Sequence, residues 1–353
     1  MKKNPIIDLR SDTVTTPTNE MWEAMRQCPF LDPIFDLDPS TTILENFISK
    51  QVGKEEAIIV SSGTMGNLIA IMAHTHPGEA IIVEANSHIN ESEYGGMARI
   101  AEVQNRQVKG HKGYIDPKDI ECNIRISETD FCAKTTLLAL ENTHNLAGGT
   151  VITPVQMDSM CSIAKKYGLK VHLDGARLFN AAVALEVKAS ELTKNVDSVM
   201  VSLSKGLAAP IGAILAGSKE FINKAKKYKK MLGGGIHHEG IIANAGMVGL
   251  RTMMKQLKVD NKNARLLAEG LKTIDGIVID YSGIRTNIVF FKLSTSNLNN
   301  IQLIEKLGHF NIKALPFNDN QIRMVTHKDI TEENIKTVLV TIKKLILLIG
   351  KKT

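Results

Sequence analysis

Short apolar, β-branched runs recur along the first two thirds of the chain, each followed by a polar or glycine-containing turn. They are Ala57–Val60, Ala80–Glu84, Thr136–Leu140, Lys170–Leu173, Val196–Val201 and Gly212–Gly217. Continuous runs of this length predict strands buried on both faces. Between them lie segments with helical spacing. One follows Pro17 to about Gln27, one runs from Thr41 to about Val52 with Ser40 as its cap, and one ends near His74. Two more are Pro154–Tyr167, closed by Gly168, and the basic Lys219–Met231. Strand–helix alternation from about residue 55 to 220 predicts a mostly parallel sheet covered on both faces. A long helix from about Gly240 to Ile274 is expected to lead into a small α+β domain. That domain is read from Val278–Asp280, Asn287–Lys292, a helix at Ile301–Leu307, Arg323–Thr326 and a helix from Glu332 to about Leu348. The expected division is an N-terminal arm and helix over 1–45, a large domain over 46–250 and a small C-terminal domain over 251–353. The segment Ile6–Val14 reads as too polar for a core strand.

Composition changes this picture little. At 353 residues, 43% hydrophobic and 23% charged, the chain is an ordinary globular one. Its net charge of +6 is spread out, so no nucleic-acid stripe is expected, and no apolar run is long enough for a membrane span to be expected. Four cysteines without paired spacing fit free thiols in the cytoplasm. No metal-ligand spacing is present: His238–Glu239 lacks the second histidine of HExxH, because position 242 is Ile.

Candidate chemistry sits just after the predicted strands. Ser62–Gly63–Thr64 stands between a strand and a helix, where free amides and the helix dipole can hold a phosphate. Such a loop can equally be a turn and cap alone, and neither GK[ST] nor GxGxxG is present. His88 follows the next strand, as a ligand contact or a hydrogen-bonded loop residue. Asp174 and Arg177 follow Lys170–Leu173, as ligand contacts or a structural ion pair. Ser204–Lys205 follows Val196–Val201. Lys205 is either a desolvated amine able to form a Schiff base or a surface lysine in a turn. Ser11 lies on an arm that is either solvated or closed over a site, and Arg323 faces either the crevice or solvent. Strand tips of a doubly wound sheet share one edge, so these signals converge on one crevice. A phosphate cradle, a strand-tip aspartate, a histidine, an arginine and a lysine together suit pyridoxal 5'-phosphate.

The ordered motifs Asp8–Val14 (DLRSDTV), Ser62–Asn67 (SGTMGN), Glu141–Asn145 (ENTHN), His172–Arg177 (HLDGAR), Leu203–Gly206 (LSKG), Lys230–Gly235 (KMLGGG) and Arg323–His327 (RMVTH) resemble the low-specificity L-threonine aldolases. These belong to the β-eliminating lyase group of the aspartate-aminotransferase-type fold. The resemblance implies that α/β fold, with a mostly parallel seven-stranded sheet and a small α+β C-terminal domain. It implies pyridoxal phosphate bound by 46–250, a homotetramer built as a dimer of dimers with shared active sites, and cleavage of L-threonine or L-allo-threonine to glycine and acetaldehyde. Carried over, Lys205 is the Schiff-base lysine, Asp174 the partner of the pyridine nitrogen, and His88 the ring-stacking residue and base for the β-hydroxyl. Ser62, Gly63, Thr64, Arg177 and Ser204 join the cofactor site, and Ser11, Arg177 and Arg323 hold the substrate carboxylate.

Two stretches depart from the family pattern. Phe35–Asp36–Leu37–Asp38–Pro39 stands where Tyr-Gly-Glu-Asp-Pro is common, and Ile236–His237–His238 where Met-Arg-Gln is. Phe35 and His237 are therefore expected at the wall meeting the substrate, favouring a larger or more apolar β-hydroxy amino acid. Other readings are β-elimination, racemisation or transamination on the same cofactor, and a non-catalytic binding protein on the same fold.

Overall fold

The computed structural model describes residues 5–29, 31, 38–127, 131–294, 298–318 and 320–350. The chain opens with β1 (Ile7–Asp8) and then builds a seven-stranded sheet. Its strands are β2 (Glu56–Val60), β3 (Ala80–Glu84), β4 (Gln104–Val108), β5 (Thr135–Glu141), β6 (Lys170–Asp174), β7 (Ser198–Ser202) and β8 (Ala213–Gly217). Their order is β2-β8-β7-β6-β5-β3-β4. Only β8 runs against its neighbours, so the C-terminal tips of the other six lie along one edge.

The apolar runs predicted as strands are buried on both sides because helices cover both faces. On one face Ile58, Val60, Met200 and Leu215 pack with Ile69 and Phe221 of the helices Gly63–His74 and Lys219–Met231. On the other, Ile59, Leu138, Leu173 and Val201 meet Leu44, Met160 and Leu250 from the helices Pro39–Gln51, Pro154–Lys166 and Gly240–Lys272. Strand β4, not foreseen in the sequence, is a polar sheet edge, the pattern that discourages pairing with another chain.

A second core forms around β9 (Ile277–Val278), β10 (Ile288–Leu293), β11 (Ile312–Lys313), β12 (Leu315–Phe317) and β13 (Gln321–Val325). The strands β12-β13-β10-β9 make an antiparallel sheet, packed by the helices Asn300–Gly308 and Glu332–Gly350. Helix Gly240–Lys272 gives Leu250 and Leu257 to the first core and Leu267 and Leu271 to the second. No helix among the described residues is long and apolar enough to cross a membrane.

Three local expectations are corrected. The arm is not wholly solvated: Ile7 pairs in parallel with Ile312, and Leu9 is fully buried with its carbonyl accepting from Val325 N. The alternation of Ile7 and Leu9 points two apolar side chains one way, a pattern too short to read locally. Asp38, not Ser40, caps the helix Pro39–Gln51 by accepting from Ser40 N at 2.8 Å. Pro39 lacks an amide to be capped and its fixed φ suits the first turn, which moves the cap one residue earlier. Likewise Thr18 caps the helix Asn19–Arg26, leaving Pro17 outside it.

Helix Gly240–Lys272 also buries Asp260. One carboxylate oxygen accepts from Gln256 and the other has no partner. Burial, with the charges of Asp12 and Asp329 adding to it, pushes this carboxyl up to about 7. Between the ordinary value near 3.8 and about 7, the folded chain holds a proton that the unfolded chain has lost. Stability from this site is therefore full below that window and falls as pH rises through it. Asp260→Asn is expected to match wild type near pH 4 and to exceed it by ~2–4 kcal/mol at pH 8. Urea denaturation at both pH values checks this; an equal effect at both would reject it.

Candidate active site

The tip of β2 leads through Ser61 and Ser62 into the helix Gly63–His74. Ser62 caps it by accepting from Met65 N at 3.2 Å. The amides of Gly63 and Thr64 precede the intrahelical ladder and are left to face an anion. Gly63 and Gly66 let the helix lie against β7: a Cβ at either would meet Met200 at 3.0 and 2.8 Å.

Asp174 ends β6 and is buried. Its Oδ1 accepts from Ala176 N at 3.0 Å and its Oδ2 from Asn67 Nδ2 at 2.9 Å. The same Asn67 amide nitrogen donates to Glu93 Oε1 at 2.8 Å, and Glu93 Oε1 lies 2.9 Å from His88 Nδ1. His88 begins the short turn after β3, and its backbone N–H donates to Glu141 Oε2 at 2.6 Å. Glu141, at the tip of β5, also accepts from Asn145 N, which ties the two neighbouring loops together. Burial disfavours a charged His88. The Glu93 hydrogen bond and the charges of Asp174, Glu93 and Glu141 outweigh it and raise its pKa above the ordinary value. Burial raises Glu93 as well. Ligand atoms of His88, Glu93 and Asp174 lie within 4.8 Å of one another, but the Asn67 amide donates into both carboxylates, so the cluster is a hydrogen-bond hub.

Lys205 follows β7 and projects among Asp174, Arg177, Asp12 and Glu141. Burial first, and then the Arg177 charge, lower its pKa against the pull of those carboxylates. Among the described residues its Nζ donates no hydrogen bond, so the amine is available. Ser204 precedes it, partly buried.

The carboxylate-binding corner differs from the sequence expectation. Arg177 does not offer its fork to a ligand: Nε and Nη2 each donate to Asp12 at 2.7 Å, and both side chains are buried. Burial opposes both charges. The pairing nonetheless keeps Asp12 ionised well below the usual carboxylate range and raises Arg177. The remaining nitrogen of Arg177, Nη1, donates to Asn145 Oδ1 at 3.1 Å. Arg323, on β13, reaches the same oxygen through Nη2 at 2.9 Å, and its buried Nε has no partner. Burial and the Arg177 charge lower Arg323 to about 10, so this corner is short of negative charge. Ser11 stands beside it, but its Oγ accepts from Thr13 N and lies 3.5 Å from Asp12 Oδ1.

Phe35 lies outside the described residues. His237 is exposed between the helices Lys219–Met231 and Gly240–Lys272, its ring 6.5 Å from that of His238. Sequence reasoning missed Asp12, Asn67, Glu93, Glu141 and Asn145. Four of them sit inside the quoted motifs DLRSDTV, SGTMGN and ENTHN. Glu93 lies in none.

A family profile described as beta-eliminating lyase matches residues 8–294. The chain belongs to the beta-eliminating lyase family. It is 41% identical over 337 residues to low-specificity L-threonine aldolase 1 of Arabidopsis thaliana, covering 94% of each chain. It is 35% identical to the low specificity L-threonine aldolase of Escherichia coli K12, covering 94% of this chain and 97% of that one. The solved threonine aldolase of Leishmania major superposes with a TM-score of 0.83 at 19% identity, covering 96% of this chain and 99% of that one. That likeness shows that this beta-eliminating lyase has the expected fold.

Proposed function

We propose that this chain is a pyridoxal-phosphate-dependent aldehyde-lyase that cleaves L-threonine, L-allo-threonine or a related β-hydroxy-α-amino acid to glycine and an aldehyde. The observation carrying this reading is the half-buried amine of Lys205, without a hydrogen-bond partner among the described residues, beside the strand-tip carboxylate Asp174. The residues fit the cofactor: the Gly63 and Thr64 amides with Ser62 suit its phosphate, Asp174 its ring nitrogen, and Lys205 its carbonyl carbon. Once bound, pyridoxal phosphate supplies an electron sink for the bond broken at the substrate's α-carbon. Ser204 borders the Lys205 attachment point.

Glu93 holds His88 Nδ1, which leaves Nε2 to exchange a proton with the β-hydroxyl while the acid orients the ring. The substrate carboxylate goes to the positive corner. Arg323 Nε is the donor without a partner there, with Arg177 Nη1 and Ser11 alongside. Arg323→Lys loses the planar fork and is expected to raise KM about tenfold with a smaller change in kcat, measured by steady-state kinetics. An unchanged KM would remove Arg323 from that role.

A homotetramer with shared sites and a cytoplasmic location belong to the same proposal. The first is supported by Tyr94, fully exposed one residue beyond Glu93, and the second by four unpaired cysteines. The deciding experiment incubates the cofactor-loaded enzyme with threonine, allo-threonine and phenylserine and assays glycine and aldehyde. Pyruvate with ammonia, a keto acid or an inverted amino acid in place of glycine would overturn the aldolase reading. Equal efficiency on threonine and phenylserine would overturn the expected preference for larger side chains.

A further inference from the structure

Behind Asp174, a file of hydrogen bonds crosses the sheet to its opposite edge. The parallel register of β6 and β7 sets His172 against Ser198, on the face covered by the helix Gly63–His74. Asn67 and His74 lie two turns apart on that helix, so both look onto the same strip of sheet. His172 Nε2 lies 3.1 Å from Asn67 Oδ1, and His172 Nδ1 lies 2.8 Å from Ser198 Oγ. Ser198 Oγ is in turn 2.8 Å from His74 Nε2. His74 stacks on Phe221 and borders a cavity of about 340 Å³ at the N-terminal ends of β6 and β7.

The proton positions follow from chemistry. Both amide protons of Asn67 go to acceptors that have none to give, Asp174 Oδ2 and Glu93 Oε1. Asn67 Oδ1 must therefore accept, and His172 Nε2 must carry its proton. His172 is fully buried with no acid in hydrogen-bond contact among the described residues, and burial lowers it to about 4 against the pull of Asp174 and of the Ser198 backbone; it is neutral, and with Nε2 protonated its Nδ1 accepts from Ser198 Oγ. Ser198 Oγ then accepts from His74 Nε2, on a ring that burial lowers to about 3. Every donor in the file points toward Asp174 and Glu93, and aligned hydrogen bonds polarise one another.

We propose that His172 is a positioning residue for the reaction, acting through Asn67 to hold Asp174 against the cofactor ring and Glu93 against His88, with Ser198 and His74 locking its tautomer from the far edge of the sheet. The proposal rests on the pyridoxal phosphate reading for its consequence, but its geometry belongs to the chain alone.

Side-chain ¹⁵N NMR of the chain without cofactor reads the tautomer directly. The expected result is a neutral His172 protonated at Nε2 and unchanged from pH 6 to 9; protonation at Nδ1 would overturn the proposal. In the cofactor-loaded enzyme, His172→Leu is expected to shift the visible absorption band and lower kcat about 10–100-fold with little change in KM. His172→Gln keeps a donor toward Asn67 and an acceptor toward Ser198, and is expected to restore the band and bring kcat within a few fold of wild type. A His172→Gln enzyme as impaired as His172→Leu, or a normal band and kcat in His172→Leu, would overturn the proposal. If His172→Leu does not fold, the wild-type tautomer and the His172→Gln spectrum still decide it. Failure of wild type to take up pyridoxal phosphate would count against the cofactor reading, while the tautomer would still judge the file.

Discussion

Lys205→Ala is expected to lower glycine formation by at least ~10³-fold while leaving the fold intact. The amine combines partial burial, a lowered pKa and an Nζ that donates no hydrogen bond among the described residues. Burial and the Arg177 charge both favour its neutral form, which is the nucleophile. Neighbouring Ser202 and Ser204 hydroxyls cannot replace it, because they carry no amine to condense with a carbonyl. Asp174, Asn67 and Glu93 keep their hydrogen bonds to one another without Lys205, so thermal stability is expected to equal or exceed that of wild type. The check pairs a glycine assay with a melting curve and a visible spectrum. Activity within tenfold of wild type would remove Lys205 from the chemistry. A large fall in melting temperature would make its role structural.

The contrast between Lys205 and Arg177 shows what could be read in the sequence. The strand-tip positions of Lys205, Asp174 and His88 were legible because each follows a short apolar run that reads as a buried strand, and parallel strands bring their tips to one edge. The same apolar runs gave away the central strands, whereas polar β4 and the short β11 and β12 carry no such signal. The partner of Arg177 lies 165 residues away, and Asn287, which also donates to Asp12, lies 275 residues from it. No local periodicity encodes such pairings; they are set by how the N-terminal arm returns between the two cores. Asn67 was hidden differently. In sequence it is a polar residue in the first turns of a helix, and only the strip of sheet beneath it reveals that it joins two acids and a histidine.

Because the Arg177 fork is spent on Asp12, replacing Asp12 is expected to be the most destabilising single change at the site. Asp12→Ala strands a buried guanidinium, a loss of ~3–5 kcal/mol when one member of a buried ion pair is removed. It also takes an acceptor from Asn287 Nδ2, which lies 3.1 Å from Asp12 Oδ2. Asp12→Asn keeps the shape and one acceptor oxygen but not the charge, and is expected to recover part of the loss. Activity should fall in both, since the freed Arg177 fork can turn toward Asn145 and compete with Arg323 for the same oxygen. The pH dependence fixes the cause. Burial disfavours the Asp12 carboxylate, but Arg177 overcomes this and depresses its pKa below the ordinary 3.8. A depressed carboxylate gives its full stabilisation at every pH above that unfolded value and loses it only as pH falls toward the folded one. In urea titrations the gap between wild type and Asp12→Ala is therefore expected to be flat from pH 8 to 5 and to narrow below about 4. A gap that closed already near pH 6 would assign the stabilisation to a histidine instead, and no gap at neutral pH would mean that the buried Asp12–Arg177 pair holds neither the arm nor the site in place.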